Sequence, residues 1–493
     1  MEFRKNDLVT LEIEDCGIDG EGIGKADGFT VFVKDAVIGD TVTAKIIKAK
    51  KNYGYGRLME VLKPSPYRVE PKCEFARQCG GCQLQALSYD QQLVFKTNKV
   101  KGHLERIGGF TDIPMEPIIG MDELFHYRNK AQFPVGRNKE GKIVTGFYAG
   151  RTHNIIENRD CALGVAENKE VLDRVIAHME KYGIEPYNEA TGKGLVRHVL
   201  IRYGYFTKEV MVCLILNGNK IPKEEQLVKS LCEIPGMTSI TINVNKKHSN
   251  VILGEEIRLL WGQEYITDRI GDIFYQISPL SFYQVNPMQT QKLYAKALEY
   301  ADLHGQETVW DLYCGIGTIS LFLARKAKKV YGVEIVPEAV ENAKENARLN
   351  GIMNAEFFCG AAEEVVPELA SVFDGTRAGK ETMGEMSAED GDAADVVVVY
   401  PPRKGCVEKG AECRMKREQI EWNLRDAFPQ EPQACHDALM HAAYSVREEK
   451  KMRRITWRTA ALVALILLAT ISMALAVSEW LGWTDYLAEY YGI

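Results

Sequence analysis

Three cysteines stand close together as Cys73, Cys79 and Cys82, in the pattern C-x5-C-G-G-C, where Gly80 and Gly81 permit a tight turn between the last two sulfurs. Thiolates held this close need a cation, and a fourth cysteine completes the ligand set of an iron–sulfur cluster. Four thiolates also suit a tetrahedral zinc ion, although the paired CxxC spacing of zinc ribbons and fingers is missing, which favours the cluster. Among the twelve cysteines, Cys161 in ENRDCAL is an exposed-looking candidate for the fourth ligand, whereas Cys213 and Cys232 sit in apolar strand and helix contexts. The second chemical feature is VWDLYCGIGTISLFLA at 309–324: a strand, a turn bearing Gly315 and Gly317, and a helix start that Thr318 can cap. A following strand, KVYGVEIV, carries Glu334 23 residues after Asp311, the offset at which an acid takes the ribose hydroxyls of an adenosine cofactor. NAD prefers G-x-G-x-x-G, which this turn, D-x-Y-C-G-x-G-T, does not present.

The elements around these residues suggest a multidomain chain. Its 493 residues, 46% apolar and 26% charged, exclude wholesale disorder. Residues 1–62 alternate short β-type runs with glycine turns and predict a small antiparallel barrel of the oligonucleotide-binding kind. Its basic run at Lys45, Lys48, Lys50, Lys51 and Arg57 lies beside Tyr53 and Tyr55, equipment for RNA; a solvated lysine face is the alternative. Pro64, Pro66 and Pro71 form a linker, and 86–108 has helical periodicity. Then come β-type runs HYRNKAQFPVG, IVTGFYAG, LVRHVLIRYG, EVMVCLIL, MTSITINVN and SNVILG, with Arg128, Lys130, Arg197, His198 and Arg202 on or near them. A mixed α+β sheet with such cations suits RNA, although arginines on strands are commonly just exposed. From about residue 286 the pattern turns to strand–helix–strand.

The net charge of −7 argues against nucleic acid only superficially, because residues 360–399 hold ten acids against two bases and account for the deficit. The N-terminus lacks the apolar run of a signal peptide, and the cysteines point to a reducing cytoplasm. Residues 374–395 are polar and low in complexity. Residues 459–477 carry no charge, are long enough to span a membrane, and follow Lys450, Lys451, Arg453, Arg454 and Arg458. That flank predicts a single pass with the N-terminal body on the cytoplasmic side.

In CEFARQCGGCQLQ, YRNKAQFPV, GFYAGRTHNIIENRDC, LVRHVLIR, ISPLSFYQVNPMQTQKLY, DLYCGIGT and YPPRKGC, the chain to about residue 406 resembles the bacterial RNA uracil-5-methyltransferases. It is most similar to those that methylate 23S ribosomal RNA and carry a TRAM barrel. The resemblance implies a [4Fe–4S] cluster on Cys73, Cys79, Cys82 and Cys161, and S-adenosyl-L-methionine contacts by Gln284, Tyr313, Gly315, Gly317 and Glu334. It also implies three parts: the barrel at 1–62; a central RNA-binding region from 63–85 and 121–265; and a Rossmann-like methyltransferase domain from 86–120 and 266–406. RNA is the implied partner, 23S ribosomal RNA first and transfer RNA second. In that family a cysteine thiolate adds at uracil C6, the resulting enolate takes the methyl group, and a base removes the C5 proton.

The chain departs from this pattern late. Tyr400 stands where the family motif D-P-P-R has its aspartate, and no S-C-x-P segment for the nucleophile or late H-x-E segment for the base follows. Neither Cys406 nor Cys413 has the nucleophile's context, so no catalytic residue is assigned. The domain is therefore expected to stop after its fourth strand and to be marginally stable. Residues 407–458 form a basic helical juxtamembrane segment, 478–493 a short tail, and the whole resembles a membrane-anchored regulator of the anti-sigma sort, with Met415 a candidate initiator. Two functions compete: an RNA uracil methyltransferase by descent that does not turn over alone, and a non-catalytic, membrane-tethered RNA-binding or regulatory protein.

Overall fold

The computed structural model describes residues 3–366, apart from 18, 107, 108, 112, 151 and 363, together with 394–399. The predicted apolar span at 459–477, the segments 374–393, 407–458 and 478–493, and Tyr400, Cys406 and Cys413 all lie outside the described residues. Among the described residues no helix is long and apolar enough to cross a membrane.

Strands β1 (Leu8–Cys16), β2 (Gly22–Ala26), β3 (Phe29–Lys34), β4 (Thr41–Ala49) and β5 (Tyr53–Lys63) close into a barrel in the order β1-β2-β3-β5-β4. Period-2 alternation sends Val9, Leu11, Ile13, Val31, Val33, Val42 and Ile46 inward. Gly24 has to be glycine, because a Cβ there would meet the carbonyl oxygen of Glu12 at 2.3 Å. Asp40 fastens the barrel to the linker. Fully buried, it accepts hydrogen bonds from Val37 N, Ser65 N and Arg68 Nε at 2.7, 2.9 and 3.0 Å.

Helix α1 (Tyr89–Arg106) realises the periodicity read at 86–108. A seven-stranded central sheet follows, built from β6 (Lys130–Arg137), β7 (Ile143–Tyr148), β8 (Ile155–Glu157), β9 (Val196–Tyr203), β10 (Val210–Leu216), β11 (Met237–Val244) and β12 (Glu256–Gly262) in the order β12-β11-β10-β9-β6-β7-β8. Helices α2 (Glu167–Tyr182) and α3 (Glu224–Leu231) cover one face, where Val171, Leu172, Val175 and Met179 meet Phe133, Val199, Val212 and Leu214.

Two sequence readings need correction here. The run SNVILG is not a strand: Asn245 Nδ2 donates to the carbonyls of Val251 and Ile252 at 2.6 and 3.0 Å, and pairing resumes only at Glu256. Arg197, His198 and Arg202 are buried rather than exposed. Arg197 donates to the carbonyls of Asn245, Lys247 and Ser249, while burial, with Arg197 adjacent, pushes His198 down to about 3.

A hairpin, β13 (Ile266–Ile270) and β14 (Ile273–Ile277), which the sequence reading missed, leads into the last unit. Helix α4 (Pro287–Ala301) begins on Asn286, whose side chain accepts from Gln289 N. Then β15 (Thr308–Leu312), α5 (Thr318–Ala324), β16 (Lys329–Glu334), α6 (Pro337–Leu349), β17 (Ala355–Cys359) and β18 (Val396–Val399) form a parallel sheet ordered β17-β16-β15-β18. This is the expected Rossmann-like pattern, with β18 at the edge among the described residues. The stretch 116–122 lies along α4 through Lys292 Nζ on Asp122 (2.7 Å), Gln289 Nε2 on the Ile119 carbonyl and Lys296 on Glu116.

Burial alone would raise the Asp40 carboxyl, but Arg68 and the N–H groups of Ser65 and Val37 outweigh it and hold the group below the usual carboxylate range. Its contribution to stability is therefore fully present above the unfolded value of 3.8 and is lost as pH falls through the lower folded value. Arg68→Ala leaves that carboxylate buried without its cation, and chemical denaturation at pH 7 is expected to show a loss of about 3 kcal/mol. The loss should shrink as the pH is taken below the carboxyl range; a variant as stable as the wild type at pH 7 would contradict this.

Candidate functional site

The turn after β15 is fixed from four directions. Tyr313, Gly315 and Gly317 take φ of 68, 58 and 78°, so the chain coils tightly at the C-terminal edge of the parallel sheet. Tyr313 N and Cys314 N both donate to the Val333 carbonyl, at 2.8 and 3.0 Å. Gly315 N donates to Glu334 Oε2 at 3.0 Å, and Glu334 Oε1 takes Val336 N at the same distance. Asn346 Nδ2 of α6 donates to the Ile316 carbonyl at 3.1 Å. Tyr275 of the hairpin donates to the Thr318 carbonyl at 2.8 Å, and Tyr294 of α4 bonds the Thr318 hydroxyl at 2.8 Å.

Thr318 therefore does not cap α5, whose N-cap is Gly317 without a side-chain bond. A Cβ on Gly317 would press Phe357 and Ala343 at 3.1 and 3.2 Å, whereas one on Gly315 would meet nothing within 4 Å. The loop thus backs onto packed protein at Gly317 and faces open space at Gly315. Beneath it Asp311 is wholly buried, accepts the Ser320 hydroxyl, and is pushed up to about 7 by burial, with Glu334 adding to the shift.

An ordered backbone cradle beside a carboxylate at this edge is where doubly wound folds take nucleoside cofactors. The residues fit S-adenosylmethionine on those grounds. Gln284, also expected at the cofactor, is buried in the segment before α4, and its carbonyl accepts from Asn129 Nδ2 of the central region at 2.9 Å. Sequence reasoning missed Asn346, Tyr275 and Tyr294. A signal for the first was present, since Asn346 stands inside a helix, where asparagine is a poor former and needs a reason.

The cysteine loop lies at the join of barrel and central sheet. Gly80 N donates to the Tyr148 carbonyl at 3.0 Å and Cys79 bridges Ala149, which lays the turn on the end of β7. All four thiols are free. Burial pushes Cys82 up to about 11, and Cys161, Cys79 and Cys73 add to the shift, so the four sulfurs act on one another. Backbone N–H groups aim at two of them: Gly81 at Cys79 Sγ (3.4 Å), and Leu163 and Gly164 at Cys161. Cys161 is half-buried rather than exposed. Among the described residues no three His, Cys, Asp or Glu side chains stand together as a ready metal site. The donor set itself, four thiols with amide N–H groups directed at sulfur, fits an iron–sulfur cluster and suits zinc less specifically.

On the barrel, β3 and β5 pair Phe32 with Tyr55 and Lys34 with Arg57, and Lys48 of β4 lies beside Tyr55. Phe32, Tyr53 and Tyr55 form a ring trio with centroids 5.6–5.8 Å apart on the outer face. Lys34 Nζ reaches the Arg77 carbonyl at 3.3 Å, which continues this face onto the cysteine loop.

Asn346→Ala would strip the buried Ile316 carbonyl and the Gln276 amide of their partner. A loss of about 1–3 kcal/mol in stability is expected in thermal unfolding, together with a weaker affinity for S-adenosylhomocysteine in calorimetry. Unchanged affinity would show that the loop does not need this anchor.

Residues 88–421 match the tRNA (uracil-5-)-methyltransferase family and residues 3–59 the TRAM domain. The family match runs past Cys406, where the sequence reading had placed the end of the resemblance. An uncharacterized RNA methyltransferase of Halalkalibacterium halodurans is 49% identical over 405 residues, 82% of this chain and 84% of that one. A Listeria monocytogenes relative of the same description is 44% identical over 407 residues, covering 83% and 85%. Among solved structures, the Pyrococcus abyssi tRNA (uracil-54, C5)-methyltransferase in complex with S-adenosyl-L-homocysteine matches with a TM-score of 0.63 and 26% identity over 85% of this chain and 87% of that one. The barrel, the anchored glycine loop and these matches place the chain in the tRNA (uracil-5-)-methyltransferase family, S-adenosylmethionine-dependent RNA methyltransferases, with a TRAM domain at its N-terminus.

Proposed function

We propose that residues 1–406 are the cofactor- and RNA-binding machinery of an RNA uracil-C5 methyltransferase acting on 23S ribosomal RNA, and that the 493-residue chain does not complete methyl transfer alone. The observation that carries the first half is the immobilised turn at 313–317 with Glu334 bonded across it. S-adenosylmethionine bound there supplies an electrophilic methyl group. The chain's own residues hold the loop backbone fixed through Asn346 and Tyr275, offer the Glu334 carboxylate, and bring Gln284 from the neighbouring segment. The barrel's ring trio and cations take unpaired RNA by stacking and charge. Transfer RNA is the second reading, favoured by the substrate that the family's description and the Pyrococcus abyssi enzyme name.

The second half rests on the sequence after residue 400, where no cysteine stands in an S-C-x-P context. Without thiolate addition at C6, uracil C5 has too little negative charge to displace a methyl group from sulfur. Labelled S-adenosylmethionine incubated with RNA from a strain lacking its own uracil methyltransferases is expected to leave no 5-methyluridine above a protein-free control. Incorporation above that control would overturn the second half and support the first.

Cys73, Cys79, Cys82 and Cys161 are proposed to hold a [4Fe–4S] cluster, the mutual influence of the four thiols and the amides aimed at Cys79 and Cys161 being the support. Anaerobically purified protein should contain iron and acid-labile sulfide, with a visible sulfide-to-iron band. Stoichiometric zinc without sulfide would contradict the assignment.

A further inference from the structure

Lys130 occupies an uncomfortable place. It faces Arg202 across the β6–β9 ladder, and its own carbonyl accepts from Arg128 Nε at 3.2 Å. Three cations are thus gathered at one end of the central sheet, on the face turned away from the core that holds Ala131 and Phe133. Among the described residues none of the three is in an ion pair. Arg202 is compensated by carbonyls, donating to Pro279 at 3.2 Å and to Ser281. Lys130 Nζ has no hydrogen-bond partner among the described residues. An unpaired ammonium facing two guanidinium groups weakens the fold unless something else answers the charge.

The surroundings say where that partner enters. Lys130 is half-buried, so solvent reaches it, while burial and the neighbouring Arg202 and Arg128 push its ammonium well below the usual lysine range. The segment before α4 lies alongside. Asn129, next to Lys130, donates from Nδ2 to the Gln284 carbonyl at 2.9 Å and from its backbone to Val285 at 3.1 Å. Arg202 holds the Ser281 carbonyl of the same segment, and Phe282 between these anchors is 63% exposed. The three cations therefore lie beside a candidate cofactor residue, and a site of one sign draws a polyanion.

We propose that Lys130, backed by Arg128 and Arg202, receives a backbone phosphate of the RNA substrate beside Gln284. The proposal rests on the RNA-binding reading above. Phosphate contacts fix register without reading sequence, so Lys130 acts as a positioning residue.

The full chain and its Lys130→Gln and Lys130→Arg variants are titrated with a fluorescein-labelled RNA stem–loop carrying unpaired uridines, over a series of KCl concentrations. Lys130→Gln should weaken binding roughly tenfold, as loss of a charge-assisted bond does, and flatten the log–log salt dependence by roughly 0.7. Lys130→Arg should retain both. S-adenosylhomocysteine affinity should be unchanged in all three proteins. The thermal midpoint of Lys130→Gln should hold or rise, because the substitution relieves repulsion. RNA affinity and salt slope equal to wild type would overturn the proposal. So would a fall in S-adenosylhomocysteine affinity alone, which would make the cofactor carboxylate the anion, or a lowered midpoint with unchanged RNA binding, the mark of a structural lysine. No RNA binding by the wild-type chain would overturn both this proposal and the functional reading on which it rests.

Discussion

The hydrogen bond from Gly315 N to the Glu334 carboxylate joins the ends of two neighbouring parallel strands, and the arrangement of the C-terminal half follows from it. Parallel pairing of Leu312 with Val333 sets the two chain ends side by side, and the Val333 carbonyl takes the next two amides of the turn. Three consecutive odd positions then adopt left-handed φ, which glycine tolerates and Tyr313 does not favour. A turn of this kind persists only when its surroundings fix it. Here α6 supplies Asn346, the hairpin supplies Tyr275 and α4 supplies Tyr294, so three separate elements converge on the six residues 313–318.

That convergence explains a hairpin that pairs with neither large sheet. Phe274 N and Gln276 N donate to the side chains of Asn350 and Asn346, each at 2.8 Å, which locks β14 to α6. Asn346 therefore serves the hairpin with its oxygen and the glycine loop with its nitrogen. The electrostatics are equally local. Asp311 sits beneath the loop with its acidity suppressed to about 7, which lowers repulsion toward Glu334 next to it. Cations gather on the barrel face and around Lys130, while residues 360–399, with ten acids against two bases, account for the negative net charge. Net charge alone would have concealed this division.

Much of this was legible in the sequence because local patterns dominate there. Alternation in TVTAKIIKA and FTVFVK gave the barrel, and D-x-Y-C-G-x-G-T with an acid 23 residues on gave the loop and Glu334. What could not be read depends on contacts distant in the chain. Nothing near SNVILG announces that Asn245 will consume its carbonyls and deny it a strand partner. Arg197 and Arg202 look like surface cations until the carbonyls that accept from them, of Asn245, Lys247 and Ser249 and of Pro279 and Ser281, are brought alongside. Thr318 had the right residue type for a cap, yet its hydroxyl is claimed by Tyr294 from 24 positions away.

Calorimetric titration of S-adenosylhomocysteine into the full chain and into Glu334→Gln and Glu334→Ala tests the central claim most directly. The account predicts saturable binding to the wild type, weaker binding to Glu334→Gln, which keeps an acceptor for Gly315 N but loses the charge, and none to Glu334→Ala. Binding to Glu334→Ala as tight as to the wild type, or no binding by the wild type, would contradict it.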